Sequence, residues 1–294
     1  MKPDILFITV NYCCEDSLLR LLEEVENQQG VEVASIVVDN SDTWVVKALK
    51  KTTIRSVQIL FPKRNLGYLG AVKFAMQQWQ AQHELPVWIV VSNPDISFAH
   101  RRVFAEAIEK HSNNAPGIIA PAIISKRNKR DQNPSRVERP DRTALLRMLW
   151  ILNRYWSYTL YHWCSILKRF AYGLIPFKKM NETPSSIYAP HGAFVMFHRS
   201  FFEKGGSLDG APFLFCEEIF IAETARKLDL LVLYDPTVIV HHDEHLTTGE
   251  TLFPERRLVT QYHSSLKECV EKFFNGRSIC GSSISSARAS NSDR

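Results

Sequence analysis

A carboxylate at the end of an apolar run is the first candidate for chemistry in this sequence. Asp95 lies in the segment SNPDISF, directly after the apolar residues 87–91. A buried strand would hold this side chain rigidly at the floor of a cleft, although NPD alone is also a common turn signal. One carboxylate can bind a divalent cation if substrate phosphate oxygens and water complete the coordination. We therefore interpret Asp95 as a candidate ligand for Mn²⁺ or Mg²⁺ beside a pyrophosphate.

An adjacent pair of acidic residues could act as a general base. Glu217 and Glu218 follow the largely apolar segment 213–216 in FLFCEEIFIAETARK. An apolar approach raises the proton affinity of a carboxylate toward that of a general base. Two acids at the start of a helix are also favoured by the helix dipole, so a purely structural role stays open. Either glutamate could be the base.

Two histidine-containing segments could complete a site. His191 and Gly192 lie just ahead of an apolar strand in PHGAFVMF, and we expect them in an acceptor or sugar pocket. The segment VIVHHDEHL ends another predicted strand and carries three histidines. A strand-end imidazole that faces a metal-bound pyrophosphate could serve as a further ligand.

The pattern of apolar residues indicates the elements that must position these side chains. Apolar runs of strand length alternate with helical patterns through the first 120 residues, which predicts βαβ units around a parallel sheet. The predicted strands of this block cover residues 5–10, 33–38, 57–61, 87–91 and 118–120. A second block predicts strands at 193–197, 231–234 and 237–240, with a helix near 219–228. These late strands could extend the same sheet.

Polar residues of the first block fall where the predicted strands end. In an open parallel sheet, ligands bind outside the carboxyl ends of the strands, where loops converge. Asn11 follows the first strand, Asp39 the second, and Arg64 and Asn65 the third. Each could be a turn or a helix cap, but their regular placement favours a nucleotide site. Neither GxGxxG nor a P-loop motif is present, which argues against a dinucleotide fingerprint and a P-loop.

Composition limits the class of protein. The 294 residues are 45% hydrophobic and 23% charged, which is typical of a globular protein. The net charge of +5 is mild, so we predict no nucleic-acid partner. Six cysteines without CxxC spacing or a paired framework predict reduced thiols in a cytoplasmic protein. We predict neither a cleavable signal sequence nor a transmembrane helix.

Residues 122–188 form a predicted insertion between residues 1–121, the nucleotide-binding half, and residues 189–275, the acceptor half of one domain. Its charged, proline-containing part at 126–142 predicts an exposed or mobile loop. Its aromatic and basic part at 143–175 is typical of a helix pair on an anionic membrane surface. Packing on the domain or on a second subunit, as in a homodimer, is the equal alternative. The Ser-rich residues 276–294 are predicted to be disordered.

The ordered set of motifs resembles the family 2 glycosyltransferases, within them the rhamnosyltransferase-like and capsular-polysaccharide branch. The matching segments run from about residue 4 to 245, outside the insertion, and are FITVNY, VVDNSD, RNLGYLGA, SNPDISF, HGAFVMFHRSFFEKGG, FLFCEEIFIAETARKLDLLVLYDP and VIVHH. The resemblance implies a GT-A type fold, a Rossmann-like mostly parallel sheet flanked by helices. It also implies inverting transfer of a sugar, such as rhamnose or another hexose, from a nucleotide-diphosphate donor to a glycan in capsule or O-antigen biosynthesis.

The same resemblance assigns roles to single residues. Asp95 matches the metal-binding acid of the family, and Glu218 stands where the family has its catalytic aspartate, after the glutamate matched by Glu217. His241 matches a late histidine that approaches the diphosphate and the metal. The residues that would line the nucleotide pocket are Asn11, Asp39 and Asn65.

Three departures from the family pattern affect these assignments. Glu218 replaces an aspartate, Lys73 stands where relatives tend to have asparagine, and NPD supplies one acid instead of two. A nucleotidyltransferase is a rival, but VNYCCED lacks the Gly-rich basic loop expected of one. A non-catalytic nucleotide-sugar or membrane-binding protein is the other rival. For the transferase, the insertion predicts a lipid-linked acceptor at the cytoplasmic leaflet.

Overall fold

The computed structural model describes residues 2–41, 57–172, 183–244 and 253–275, without the side chains of residues 169–172. The strands are β1 (Ile5–Asn11), β2 (Val33–Asp39), β3 (Val57–Leu60), β4 (Trp88–Ser92), β5 (Ile96–Phe98), β6 (Ile118–Ser125), β7 (Ser185–Ser186), β8 (Phe194–His198) and β9 (Val232–His242). The helices are α1 (Glu15–Glu26), α2 (Tyr68–Gln80), α3 (Val103–Lys110), α4 (Arg142–Leu152), α5 (Tyr155–Tyr172), α6 (Ser200–Glu203), α7 (Glu217–Lys227) and α8 (Arg256–Phe273).

The nine strands in the described ranges belong to one mixed sheet. Its order is β3-β2-β1-β4-β8-β6-β9-β5, and β7 pairs with β9. Strands β1 to β4 pair in parallel around β1, as predicted, and β8 joins them by antiparallel pairing with β4. The predicted α/β fold with a mostly parallel sheet flanked by helices is confirmed, and the late strands extend the same sheet.

The first strands are apolar on both faces because helices cover both faces of the sheet. Leu6 and Ile8 of β1 pack in one buried cluster with residues of α2 and α7. Ile5 and Phe7 of the same strand pack in the opposite cluster with residues of α1 and α3. A strand buried on both sides has a continuous run of apolar residues, and its polar residues lie at its ends.

Two features of the sheet differ from the prediction. The residues predicted as strands 231–234 and 237–240 form the single strand β9, whose register with β6 shifts between Pro121 and Ala122. The short strand β5 was not predicted. It follows Asp95 at once and pairs antiparallel with the end of β9, so that Ile96 lies opposite His242.

The predicted exposed loop at 126–142 is wrong for its middle. Asn133 is buried, and Gln132 donates its backbone N–H to Ile123 O at 2.9 Å, so this part folds back along β6. The carboxylate of Asp131 fixes the turn by accepting the N–H groups of Ile123 and Asn133 and the hydroxyl of Tyr234. Buried polar side chains with such partners are stable in spite of the charged surroundings.

The insertion continues as the helix pair α4 and α5, which packs on α8. Among the residues that the structure describes, no helix has the length and apolarity needed to cross a membrane. The predicted disordered tail at 276–294 and the end of the predicted helical stretch at 173–175 lie outside the described residues.

Candidate active site

The ends of β1 and β2 form a polar pocket. Asn11 donates its amide to Asp39 Oδ1 at 2.9 Å, and the same oxygen accepts the backbone N–H and the hydroxyl of Ser41. The other carboxylate oxygen, Asp39 Oδ2, is buried and has no hydrogen-bond partner among the described residues. An unsatisfied buried acceptor is costly, so this atom is suited to a ligand hydroxyl or amine. The structure therefore brings Asn11 and Asp39 together, as the sequence analysis expected.

The loop before α2 uses its asparagines for its own conformation. Asn40 donates to Gly67 O at 2.9 Å and accepts the Leu66 N–H at 3.2 Å. Asn65 accepts the Gly67 N–H at 2.8 Å, so the described contact of this side chain is a turn. Arg64 is exposed on the same loop.

Gly67 connects this loop to the segment that precedes the acidic pair. Its φ of 72° is in the left-handed region, and a Cβ there would lie 2.1 Å from Phe213 O. The next residue, Tyr68, donates its backbone N–H to the same carbonyl at 3.2 Å. Only glycine fits such a close approach.

Asp95 meets an imidazole at the end of β9. Asp95 is buried, and its Oδ1 has no hydrogen-bond partner within the described chain. His242 Nε2 lies 3.2 Å from that oxygen, without hydrogen-bond geometry. His242 Nδ1 lies 2.7 Å from Gln132 Oε1, an acceptor, so Nδ1 carries a proton and a neutral ring turns the lone pair of Nε2 toward Asp95.

Two such acceptors need either a second proton on the imidazole or a cation between them. A carboxylate oxygen and an imidazole nitrogen are both ligands of divalent cations such as Mn²⁺, so the residues fit a metal. No group of three or more His, Cys, Asp or Glu in the described ranges is arranged to hold an ion. Any further ligands would therefore be substrate oxygens and water.

The structure does not bring His241, the predicted ligand, to Asp95. Side chains alternate between the faces of a strand. Along the end of β9 every second side chain is buried, namely Val238, Val240 and His242. Ile239 and His241 lie on the other side of the strand and are half-buried. His242 is therefore the histidine that accompanies the carboxylate.

The acidic pair begins α7 after two strained residues. Phe215 and Cys216 have φ values of 67° and 64°, in the left-handed region. Glu217 is buried, and this burial, together with the charge of Glu218, raises its pKa to about 8. Glu218 is half-buried and faces the peptide of Gly192, where a Cβ would lie 3.5 Å from Glu218 Oε1.

The hydroxyl of Tyr68 joins the metal-binding end to the acidic pair. It donates to Gly192 O at 3.0 Å. Burial raises the pKa of Tyr68 well above its usual range, and the charges of Glu217, Asp95 and Glu218 raise it further. One protonated hydroxyl thus lies near all three carboxyl groups, although Asp95 precedes the acidic pair by more than 120 residues in the chain.

His191 lies between the same two ends. Its ring centroid is 6.1 Å from that of His242. Burial lowers its pKa, whereas the charge of Glu218 opposes that effect. Its Nδ1 accepts the Ala193 N–H at 3.2 Å, which leaves Nε2 as the protonated nitrogen of the neutral ring. Asn133 holds the segment by accepting the His191 backbone N–H at 2.7 Å.

Sequence reasoning missed four residues of this site: Tyr68, Gln132, Asn133 and His242 as the partner of Asp95. The first follows the glycine of RNLGYLGA and carries no polar pattern of its own. The two loop residues stand in a run of charges that indicates exposure. The two adjacent histidines of VIVHH give no signal that would distinguish them.

The mixed sheet gathers polar side chains at its strand ends and at the start of α7, which is where open α/β sheets bind ligands. The family model for Glycosyl transferase family 2 matches residues 5–206. The chain therefore belongs to glycosyltransferase family 2. A search among curated proteins found no significant match.

Solved glycosyltransferases share the fold. The mannosyltransferase PcManGT from Pyrobaculum calidifontis, in complex with GDP-Man and Mn²⁺, superposes with a TM-score of 0.51 at 12% identity, over 92% of this chain and 74% of that one. GalNAc-T7 with UDP, GalNAc and Mn²⁺ gives a TM-score of 0.56 at 12% identity, over 93% of this chain and 57% of that one. These likenesses confirm the GT-A type fold.

Proposed function

We propose that the protein transfers a sugar from a nucleotide-diphosphate donor to a glycan acceptor, with inversion at the anomeric carbon. Membership of glycosyltransferase family 2 supports the reaction class. The observation that carries the proposal is a chain of contacts from Asp95 to the acidic pair. His242 lies 3.2 Å from Asp95, the His191 ring lies 6.1 Å from that of His242, and the next residue, Gly192, faces Glu218. The residues suited to a diphosphate and those suited to a base therefore serve one pocket.

The nucleotide end of the donor would lie at the carboxyl ends of β1 and β2. Asp39 Oδ2 is a buried acceptor without a partner among the described residues, and Asn11 orients the same carboxylate. This atom would accept a hydrogen bond from a ribose hydroxyl or a base N–H. Arg64 and Asn65 would contact the donor from the loop before α2.

The diphosphate would lie beside Asp95 and His242. These residues would hold Mn²⁺ or Mg²⁺, which stabilises the negative charge of a leaving nucleoside diphosphate when it is bound. The likeness to structures that contain Mn²⁺ supports this choice of cation. Gln132 keeps the Nδ1 proton of His242 engaged and so leaves Nε2 as the coordinating atom. In this assignment His242 takes the metal-binding role that was predicted for His241.

The proton chemistry is assigned to Glu218. The acceptor oxygen forms a bond to the anomeric carbon as the bond from that carbon to the diphosphate breaks. The acceptor proton passes to Glu218, and the electron pair of the broken bond stays on the diphosphate. Because burial and its neighbour's charge keep Glu217 protonated at neutral pH, Glu218 is the glutamate available as a base. The sugar would lie against His191 and Gly192.

The donor sugar is proposed to be a hexose such as rhamnose, and the acceptor a lipid-linked glycan of a cell-surface polysaccharide. Capsule and O-antigen synthesis are the settings that the motif resemblance supports. The enzyme would then act in the cytoplasm as a peripheral protein of the membrane. A homodimer through the insertion is the alternative use of that segment.

A donor panel tests the proposal. UDP-, GDP- and dTDP-sugars would each be incubated with the protein and Mn²⁺, and released nucleoside diphosphate would be measured by chromatography. We expect slow hydrolysis of one donor class and no release after EDTA treatment until Mn²⁺ or Mg²⁺ is restored. Asp95→Asn should abolish the release. Binding of a donor with no turnover, with any acceptor extract, would instead establish a non-catalytic binding protein.

A further inference from the structure

An exposed apolar face on α5 lies outside the site and has no role in the proposed chemistry. Trp156, Leu160, Trp163 and Leu167 follow one another at intervals of four, three and four residues, which places them on one face of a helix. The exposed fractions of Trp156, Leu160 and Leu167 are 67%, 63% and 68%, and that of Trp163 is 42%. These four residues are called the α5 stripe below. Contiguous exposed apolar surface of this kind marks an interaction site.

The other side chains of α5 pack against the protein, and this packing orients the α5 stripe toward solvent. Thr159 is buried, and Tyr155 donates its hydroxyl to Pro254 O at 2.9 Å. The ring of Tyr158 packs edge-on against Tyr262 of α8, with 6.3 Å between centroids. The helix therefore packs one face against the protein and exposes the neighbouring face, where Trp163 also contacts Phe253 at 5.4 Å between ring centroids.

The charge around the α5 stripe identifies the partner. Residues 142–181 contain no Asp or Glu, whereas Arg147, Arg154 and Lys168 are exposed within them. Trp150 of α4 is 70% exposed beside them in the chain. Tryptophan and leucine flanked by basic side chains are the composition of helices that lie in the headgroup region of an anionic membrane. We propose that the α5 stripe and the basic residues of α4 and α5 dock this protein on an anionic lipid surface.

The inner face of α5, opposite to solvent, is connected to the acidic pair by packed aromatic rings. Tyr262, which contacts Tyr158, also packs against Phe215 at 5.4 Å between centroids. Phe215 lies two residues before Glu217, and Ser265 of α8 donates to Leu214 O at 2.6 Å. A lipid-linked acceptor held at this surface would be close to the base, a step that rests on the proposed function. The docking itself does not depend on it.

Vesicle flotation tests the docking surface. The full chain would be mixed with vesicles of phosphatidylcholine alone or with phosphatidylglycerol added, at low and high salt. We expect binding only to the anionic vesicles and its loss at high salt. Leu160→Ser and Leu167→Ser should each weaken binding by about tenfold, since each removes one apolar side chain from the lipid. The matched control is Leu231→Ser, because Leu231 is an exposed leucine immediately before β9.

Charge is tested separately. Arg147→Glu should weaken binding to anionic vesicles by more than about tenfold, whereas Lys204→Glu, an equal change of charge on another surface, should leave it unchanged. Equal flotation of stripe and control variants would overturn the proposal. So would conversion of a dimer to a monomer by Leu160→Ser with unchanged flotation, which would make the face an interface between two copies. Intact flotation without turnover of any donor would overturn the proposed function and support the docking surface.

Discussion

Replacing Glu217 by glutamine should stabilise the protein, because the native site holds this carboxyl group at a cost. Burial and the charge of Glu218 raise the pKa of Glu217 from 4.5 to about 8. The folded state therefore keeps a proton that the unfolded chain releases between those two pH values. Because the folded state binds more protons in that interval, stability falls as pH rises from about 4.5 to 8. A neutral amide removes this dependence.

The size of the effect follows from the same pKa. At pH 7 the folded carboxyl group is held neutral although free glutamate is ionised, which costs about 3 kcal/mol at about 1.4 kcal/mol per pH unit. Glu217→Gln should recover up to that amount at pH 7 and almost nothing at pH 4.5. The assay is urea unfolding of both proteins at several pH values between 4.5 and 8.

Glu223 on the same helix provides a matched control of opposite sign. Burial alone would raise the pKa of Glu223, but hydrogen bonds from Arg139 and Tyr188 outweigh it and lower the pKa. Its ionised form is thus favoured by folding, and that stability is present above pH 4.5 and lost in acid. Glu223→Gln should destabilise by about 1–3 kcal/mol at pH 7. A Glu217→Gln protein less stable than wild type at pH 7 would refute the reasoning.

Activity separates the two adjacent glutamates. Glu217→Gln mimics the protonated group and should keep most of the transfer rate at pH 7. Glu218→Gln removes the proton acceptor and should lower transfer by about 10²–10⁴-fold with donor binding unchanged. Wild-type turnover in the second variant would remove Glu218 from the role, and loss of turnover only in the first would give the role to Glu217.

Three further predictions concern the walls of the site. Asp95→Asn should weaken Mn²⁺ binding, measured by calorimetry with a nucleoside diphosphate present, by more than about tenfold; unchanged affinity would exclude a metal at Asp95. Asn133→Ala removes the partner of the part-buried His191 N–H and of Pro121 O, and should cost about 1–3 kcal/mol of unfolding free energy in urea. A neutral effect would contradict the structure. Gly67→Ala places a Cβ against Phe213 O and should lower the free energy of unfolding by about 2 kcal/mol or more in the same assay. Gly205→Ala is the control for a positive φ, because a Cβ at Gly205 has no neighbour within 4 Å.

The sequence predicted the parallel half of the fold because apolar runs and strand ends follow from local rules. A strand covered by helices on both sides is apolar along its length, so its polar residues occur at its end. Asn11 and Asp39 satisfy this rule and meet at the end of β1 and β2. Asp95 satisfies it too, since β4 is buried along its length.

The partner of Asp95 depends on long-range geometry that the sequence does not carry. The register of β9 with β6 shifts between Pro121 and Ala122, so the alternation of β9 cannot be continued from Tyr234 to its end. In the segment VIVHH, every residue before the histidines is apolar. The sequence therefore does not show which of the two alternating sets of side chains is buried. The histidine that faces the carboxylate is therefore set by the register shift of β9 and by its antiparallel pairing with β5. The three-residue strand β5 has no signal in the sequence.

The insertion contacts the candidate site at two points, so we expect that its deletion destabilises the rest of the protein. Gln132 holds the imidazole of His242, and Asn133 holds the backbone of His191, both from the loop that enters the insertion. Arg139 from the same loop pairs with the fully buried Glu223 of α7 at 2.6 Å. Deletion of 122–188 would remove Arg139 and the Tyr188 hydroxyl from the buried Glu223 and leave it only Arg226 among its described partners. Loss of a partner of a buried ion pair costs about 3–5 kcal/mol.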